Sequence, residues 1–230
     1  MTYSISAVII AKNEENSVKK VIEESLDVLS KLTRNWEILV NDDASSDKTG
    51  QILDYYSKKY PKIKIFHQKK PLGISGGLEF LYKKASKQLV FINAADGQYT
   101  IKDLSKMLDK VDEGYDLIIG KRRTKVYYGI FRKALSYIYN ILPEILFGVK
   151  LYDAGSNKVY KMEVLKKTTP ISKSVFSEAE RIIRAQLLGF KIVSVPISYF
   201  PREGGKATGA HLKSIIGAMI DMLKLRYYLK

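Results

Sequence analysis

The chain has 230 residues with no cysteine, 39 Lys and Arg against 24 Asp and Glu, and a formal net charge of +15. The missing cysteines exclude a disulfide framework, a thiolate zinc site and a cysteine nucleophile, while 46% hydrophobic and 27% charged residues exclude a fibre or a disordered tail. So large a positive charge asks for an anionic partner: nucleic acid, a phosphate-bearing ligand or an anionic membrane surface.

Residues 4–10 are apolar and β-branched, which predicts a buried strand. Residues 13–32 carry Val18, Val21, Ile22, Leu26 and Leu29 at helical spacing. A second strand is expected over 36–40, a polar turn through Asp42-Asp43-Ala44-Ser45-Ser46-Asp47, and a helix over 49–60 that Pro61 ends. A third strand follows at 63–67, then a glycine-rich turn, PLGISGG, opening a helix to about residue 87. Strands at 89–93 and 117–120 flank a helix at 101–111. Strands alternating with helices in this way predict βαβ units and a largely parallel sheet covered on both faces.

Beyond Arg122 the alternation stops. A helical pattern over 131–147 is interrupted by Pro143, a helix is expected at 176–188, a strand at 191–199, and a closing helix from 209. No Pro/Ser-rich linker separates the halves, so one domain is expected over 1–208, with 209–230 as an amphipathic helix belonging or appended to it. The most apolar stretches, 134–148 and 215–225, are broken by Pro143 and Glu144 and by Asp221 and Lys224. Neither reaches the roughly 20 uninterrupted apolar residues of a spanning helix, and the N-terminus lacks the pattern of a secretory signal.

In open α/β sheets ligands bind beyond the carboxyl ends of the strands. Three polar clusters fall there: Asn13-Glu14-Glu15, residues 42–47, and Ala94-Ala95-Asp96-Gly97-Gln98. Carboxylates gathered at one sheet edge run against the overall charge, and a divalent metal or base and ribose contacts explain them. Capping of the next helix by Ser46 and Asp47 explains part of the second cluster equally well. Neither a Walker loop nor a G-x-G-x-x-G fingerprint is present, and His67 and His211 lack metal-ligand spacing, which leaves them packing or surface roles.

In order along the chain, VIIAKNEE at 8–15, VNDDASSDKT at 40–49, Asp96-Gly97-Gln98, DLIIGKR at 116–122, DAGSNKVYK at 153–161, FSEAE at 176–180 and VPISYFPREGGK at 195–206 resemble the motifs of family-2 glycosyltransferases with the GT-A fold. The resemblance runs toward the dolichol-phosphate mannose synthase and polyprenyl-phosphate glycosyltransferase group. It implies a Rossmann-like α/β domain, mostly parallel with helices on both faces. It also implies an inverting hexosyltransferase that moves a sugar from GDP-mannose or a UDP-hexose to polyprenyl or dolichyl phosphate.

By the same resemblance, Ala11, Asn13, Glu14, Asp43, Ser45 and Asp96 would bind the donor nucleotide, and Asp96 and Gln98 would hold Mg²⁺ or Mn²⁺. Arg122, Arg132, Ser136, Arg202 and Lys206 would bind phosphate and acceptor, with Asp96, Glu178, Glu180 and Arg202 forming the catalytic set. Oxygen donors suit a hard cation, and the planar guanidinium fork suits phosphate. The sequence departs from the family where Ala94 replaces the first aspartate of the metal motif, where Ile10 and Lys12 replace a proline and an aromatic, and where Asn157-Lys158 replaces Gly-Phe.

Basic residues Lys121, Arg122, Arg123, Lys125, Arg132 and Lys133, interleaved with Tyr127, Tyr128, Phe131, Tyr137 and Tyr139, suggest an anionic membrane surface as partner. The expected location is the cytoplasm, peripheral on the cytoplasmic face of a membrane. The residues alone leave open a glycan or small-alcohol acceptor, a nucleotide-sugar-binding protein without turnover, and a basic nucleic-acid-binding module. Against the last, no nucleic-acid motif is present and the acidic clusters would repel phosphate.

Overall fold

The computed structural model describes residues 3–122, 141–201 and 212–229, with side chains in the last segment from 217. Alternating apolar residues build β1 (Ser4–Ala11) so that Ile5, Ala7, Ile9 and Ala11 face one core and Val8 the other. Strands β2 (Asn35–Asp42), β3 (Ile63–His67) and β4 (Leu89–Ala94) follow as expected from the apolar runs. They join β5 (Leu117–Arg122), β6 (Lys158–Lys161) and β7 (Ile192–Ile197) in one seven-stranded sheet of order β3-β2-β1-β4-β6-β5-β7. All neighbours pair in parallel except β6, which runs antiparallel to both β4 and β5.

Helices α1 (Val18–Leu32), α2 (Thr49–Lys59) and α4 (Leu104–Asp112) lie against the first core. Against the second lie α3 (Gly73–Lys84), α5 (Met162–Lys167), α6 (Ser177–Leu187) and α7 (Leu212–Tyr228). Each fully buried Leu, Ile or Val in these cores contributes about 1.5–3 kcal/mol, so the doubly covered sheet is a sufficient scaffold without cross-links.

Where the observed elements differ from the sequence reading, a local bond is the reason. Helix α1 starts at Val18 and not at 13, because Asn13 takes φ +54° and the N–H groups of Ser17 and Val18 turn back onto the Glu14 carbonyl. Helix α3 stops at Lys84, short of 87, because the Glu37 carboxylate accepts the N–H and hydroxyl of Ser86 at 2.8 and 2.9 Å. Strand β6 and helix α5 were not foreseen. Of the 131–147 pattern, residues 141–147 are described and are helical straight through Pro143. Their stop is Gly148, at φ +68° with its N–H on the Glu144 carbonyl, the left-handed C-terminal position that glycine favours.

On α7, Ala218, Met222 and Leu225 are buried in the second core, while Met219, Ile220, Leu223, Tyr227 and Tyr228 are exposed. The domain boundary expected at 208/209 falls outside the described residues. No described helix is long and apolar enough to cross a membrane.

Candidate active site

The chain leaves β1 for β2 and β3 on one side and returns to place β4 on the other, with Ala11 opposite Asp42 and Ile10 opposite Ala94. The strand order therefore reverses at β1. The carboxyl ends of β1, β2 and β4 open on one crevice, the place where such sheets bind ligands.

The loops after β1 and β2 are laced together. The Asn13 N–H donates to Ser45 Oγ at 3.0 Å, and Asn13 Oδ1 accepts the Ser46 N–H at 2.8 Å. The Glu14 N–H donates to Thr49 Oγ1 at 2.8 Å, the Glu15 N–H to the Asp47 carboxylate at 3.2 Å, and the Lys48 N–H to the Glu15 carboxylate at 3.1 Å. Asn13 and Ala44 both sit at positive φ, 54° and 58°, a conformation that costs a non-glycine residue and clusters at functional sites. Burial alone would raise the Asp47 pKa, but the bonds from Thr49 and Glu15 outweigh it and hold the group below its usual value. Asp47 Oδ1 also accepts the Thr49 N–H at 2.9 Å, but the N-cap of α2 is Lys48, so Asp47 stands one place before the capping position expected for it.

The sequence-expected donor residues Ala11, Asn13, Glu14, Asp43 and Ser45 are thus brought together. Glu14 and Asp43 are buried. Asp43 also reaches α3, accepting the N–H groups of Leu72 and Gly73 at 2.6 and 3.1 Å, a contact that sequence reasoning missed. The same helix comes close to the sheet at Gly77, where a Cβ would lie 3.0 Å from Asn41 Nδ2 and 3.1 Å from Ile10 Cδ1.

At the β4 exit, Asp96 Oδ1 accepts the Gln98 N–H at 3.1 Å, and Gln98 Nε2 donates to the Tyr199 hydroxyl at 2.8 Å. Asn93, buried at the strand end, accepts from Ala94 N–H and from Asn157 Nδ2, which ties the β4 exit to the loop before β6. That loop also holds Arg122 at the β5 exit. Nε and Nη2 of Arg122 donate to Asp153 Oδ2 and Oδ1 at 2.7 and 2.5 Å, and the guanidinium lies over the Tyr199 ring. Tyr152, beside Asp153, is the third non-glycine residue at positive φ among those described.

Asp96 and Gln98 offer one carboxylate and one amide oxygen. These are hard donors suited to Mg²⁺ or Mn²⁺, which commonly take one or two carboxylates and fill the remainder with substrate phosphates and water. No group of three or more His, Cys, Asp or Glu that could hold a metal occurs among the described residues.

Glu178 and Glu180 lie elsewhere in character. Glu178 is buried, accepting the hydroxyls of Tyr82 and Tyr160 at 3.0 and 2.9 Å, with Lys158 Nζ at 3.3 Å. Burial opposes its charge, yet Lys158, Arg181 and the two hydroxyls prevail and lower its pKa; the buried Lys158 is pushed below the ordinary lysine value by desolvation, which Glu178 partly offsets. Glu180 accepts the N–H groups of Ile171 and Ser172 at 2.9 Å each and Arg184 Nε at 2.7 Å. Both carboxylates act on protein groups. Arg132, Ser136, Arg202 and Lys206 lie outside the described residues, as does most of the basic aromatic stretch.

A doubly covered sheet whose switch point carries carboxylate loops, with an arginine at the exit of a further strand on the same side, defines a nucleotide-sugar-type GT-A domain. The family model "Glycosyl transferase family 2" matches residues 6–169, and the chain belongs to that family. It is 31% identical over 191 residues to polyprenol monophosphomannose synthase of Mycolicibacterium smegmatis, covering 76% of this chain and 72% of that protein. It is 29% identical over 183 residues to undecaprenyl-phosphate mannosyltransferase of Micrococcus luteus, covering 74% of each. Among solved structures, glucosyl-3-phosphoglycerate synthase from Mycobacterium tuberculosis, in complex with Mn²⁺, UDP and phosphoglyceric acid, matches with a TM-score of 0.77 over 97% of this chain and 78% of that one. At 17% identity this likeness is one of fold.

Proposed function

We propose that this glycosyltransferase moves a hexose from a nucleotide-sugar donor, GDP-mannose or a UDP-hexose, to a polyprenyl phosphate. The supporting observation is that groups of opposite charge stand at the same, carboxyl end of one sheet. Glu14, Asp43 and Asp96 stand at the exits of β1, β2 and β4, and Arg122 stands at the exit of β5. Two relatives of similar length carry polyprenol or undecaprenyl phosphate in their names, which favours a lipid phosphate over a free alcohol.

In this reading Glu14 and Asp43 accept hydrogen bonds from the base and ribose. An ionised carboxylate has about four lone-pair sites, so the two α3 N–H groups on Asp43 leave capacity for a sugar hydroxyl. Asp96 and Gln98 hold the cation, which when bound offsets the charge growing on the departing nucleoside diphosphate. Arg122, fixed by Asp153, orients the acceptor phosphate, and Arg132, Ser136, Arg202 and Lys206 share that task by resemblance. An oxygen of the acceptor phosphate attacks the anomeric carbon as the bond from that carbon to the diphosphate oxygen breaks. A phosphate monoester is already largely dianionic at neutral pH, its second pKa being about 6, so no general base is required. Glu178 and Glu180 then serve as positioning residues.

The reading extends to a peripheral location on the cytoplasmic face of a membrane. The outward Met219, Ile220, Leu223 and Tyr227 of α7 and the basic stretch from Lys121 onward suit an anionic lipid surface. A direct test compares polyprenyl phosphate with the unphosphorylated polyprenol as acceptors. Nucleoside diphosphate release with the phosphate alone is expected; equal release with the alcohol contradicts the assignment.

A further inference from the structure

Tyr199, just after β7, touches both halves of the site. Its hydroxyl accepts Gln98 Nε2 at 2.8 Å, and its ring lies beneath Arg122, with 5.4 Å from guanidinium carbon to ring centroid. Tyr99 packs on its flank with ring centroids 5.3 Å apart, and the Tyr99 hydroxyl donates to the Gly155 carbonyl in the loop that also carries Asp153. The backbone around it is fastened to the segment after β4: the Phe200 N–H donates to the Gln98 carbonyl at 2.9 Å, and the Ser198 N–H to Asp103 at 2.7 Å.

A glutamine amide has one donating and one accepting end, and a tyrosine hydroxyl alone does not choose between them. The choice is made by the Phe200 carbonyl, 3.5 Å from Gln98 Nε2. A carbonyl only accepts, so the nitrogen end must face Phe200 and Tyr199, and Oε1 is the end turned away from them. Such outer contacts orient a ligand and tune its affinity for the ion it holds. The stacked ring acts in parallel on the other side, since a guanidinium already forked onto Asp153 has its plane fixed by the aromatic face below it.

Resting on the proposed sugar transfer, we infer that Tyr199 is a positioning residue with two separable tasks. Its hydroxyl anchors the Gln98 amide in the orientation that the Phe200 carbonyl selects, so that Oε1 is held for the cation on the donor diphosphate, and its ring holds Arg122 in place for the acceptor phosphate. Tyr199→Phe removes the first task and keeps the second. Tyr199→Leu removes both.

The test titrates Mn²⁺ into the protein, in parallel with GDP and with UDP, reading free Mn²⁺ by electron paramagnetic resonance, and separately measures the KM for undecaprenyl phosphate. Tyr199→Phe is expected to weaken Mn²⁺ binding about tenfold and to leave the acceptor KM within about twofold. Tyr199→Leu is expected to weaken Mn²⁺ equally and also to raise the acceptor KM several-fold. Because Gln98 mediates the metal effect, adding Tyr199→Phe to Gln98→Ala is expected to weaken Mn²⁺ no further. Wild-type Mn²⁺ affinity in Tyr199→Phe, or an additive loss in the double variant, overturns the inference and leaves the functional reading standing. A wild-type protein that binds Mn²⁺ with neither nucleotide overturns both. Should Tyr199→Leu fail to fold, the Tyr199→Phe and Gln98→Ala cycle decides alone.

Discussion

Asp153 holds Arg122 in a two-pronged grip, 2.7 Å from Nε to Oδ2 and 2.5 Å from Nη2 to Oδ1, with both side chains largely withdrawn from water. The cation at the β5 exit is therefore aimed before any anion arrives, and its position is set by a residue 31 places along the chain. Asp153→Asn should lower the unfolding free energy by about 3 kcal/mol, the usual cost of breaking one side of a buried pair. It should also raise the acceptor KM with little change in donor KM. Urea denaturation and steady-state kinetics measure the two effects.

Glu178 supplies a contrast between positioning and catalysis. Glu178→Gln leaves Lys158 as a buried cation without its carboxylate, while Arg181 keeps its pairing with Glu79, at a cost of about 3 kcal/mol. Adding Lys158→Met should recover part of that loss, because residues in one network are not additive. A general base would behave otherwise, losing kcat at unchanged stability. Denaturation of the single and double variants separates the two roles.

His67 bridges two carboxylates, with Nδ1 2.8 Å from Asp42 and Nε2 3.0 Å from Asp54. Burial would lower its pKa, but both aspartates oppose this and raise it above the ordinary histidine value. A raised folded pKa gives stabilisation that is fully present below the unfolded value and is lost as pH climbs through the folded one. The urea midpoint of the wild type should accordingly exceed that of His67→Gln by more at about pH 6 than at about pH 9. A pH-independent gap contradicts this.

The carboxylate loops were legible because each follows an apolar β-branched run, so Glu14, Asp43 and Asp96 fall at strand exits by pattern alone. Strand β6 was not. Its four residues begin and end in lysine, and what buries Lys158 is Glu178, a partner in a helix 20 residues on. The grip of Asp153 on Arg122, like the contact of Tyr199 with Gln98, is a long-range pairing that no local period encodes. Asp153 and Tyr199 stood within quoted motifs without a role, since what they touch depends on β5, β6 and β7 closing side by side.

Gly120 marks where that closure is tightest. A Cβ there would overlap Ile197 Cδ1 and stand 3.1 Å from the Asn157 carbonyl oxygen. Gly120→Ala should destabilise by about 1–3 kcal/mol through overpacking, seen as a lowered thermal midpoint, and should loosen the 153–157 loop on which Arg122 depends.

The most direct measurement of the proposed chemistry is release of nucleoside diphosphate from a panel of GDP- and UDP-sugars with Mn²⁺ or Mg²⁺, run with and without polyprenyl phosphate, for the wild type and Asp96→Ala. Release that requires one donor, the cation and the lipid phosphate together, and that disappears in Asp96→Ala, is the expected result. Undiminished release by Asp96→Ala, or wild-type release indifferent to the lipid phosphate, would contradict it.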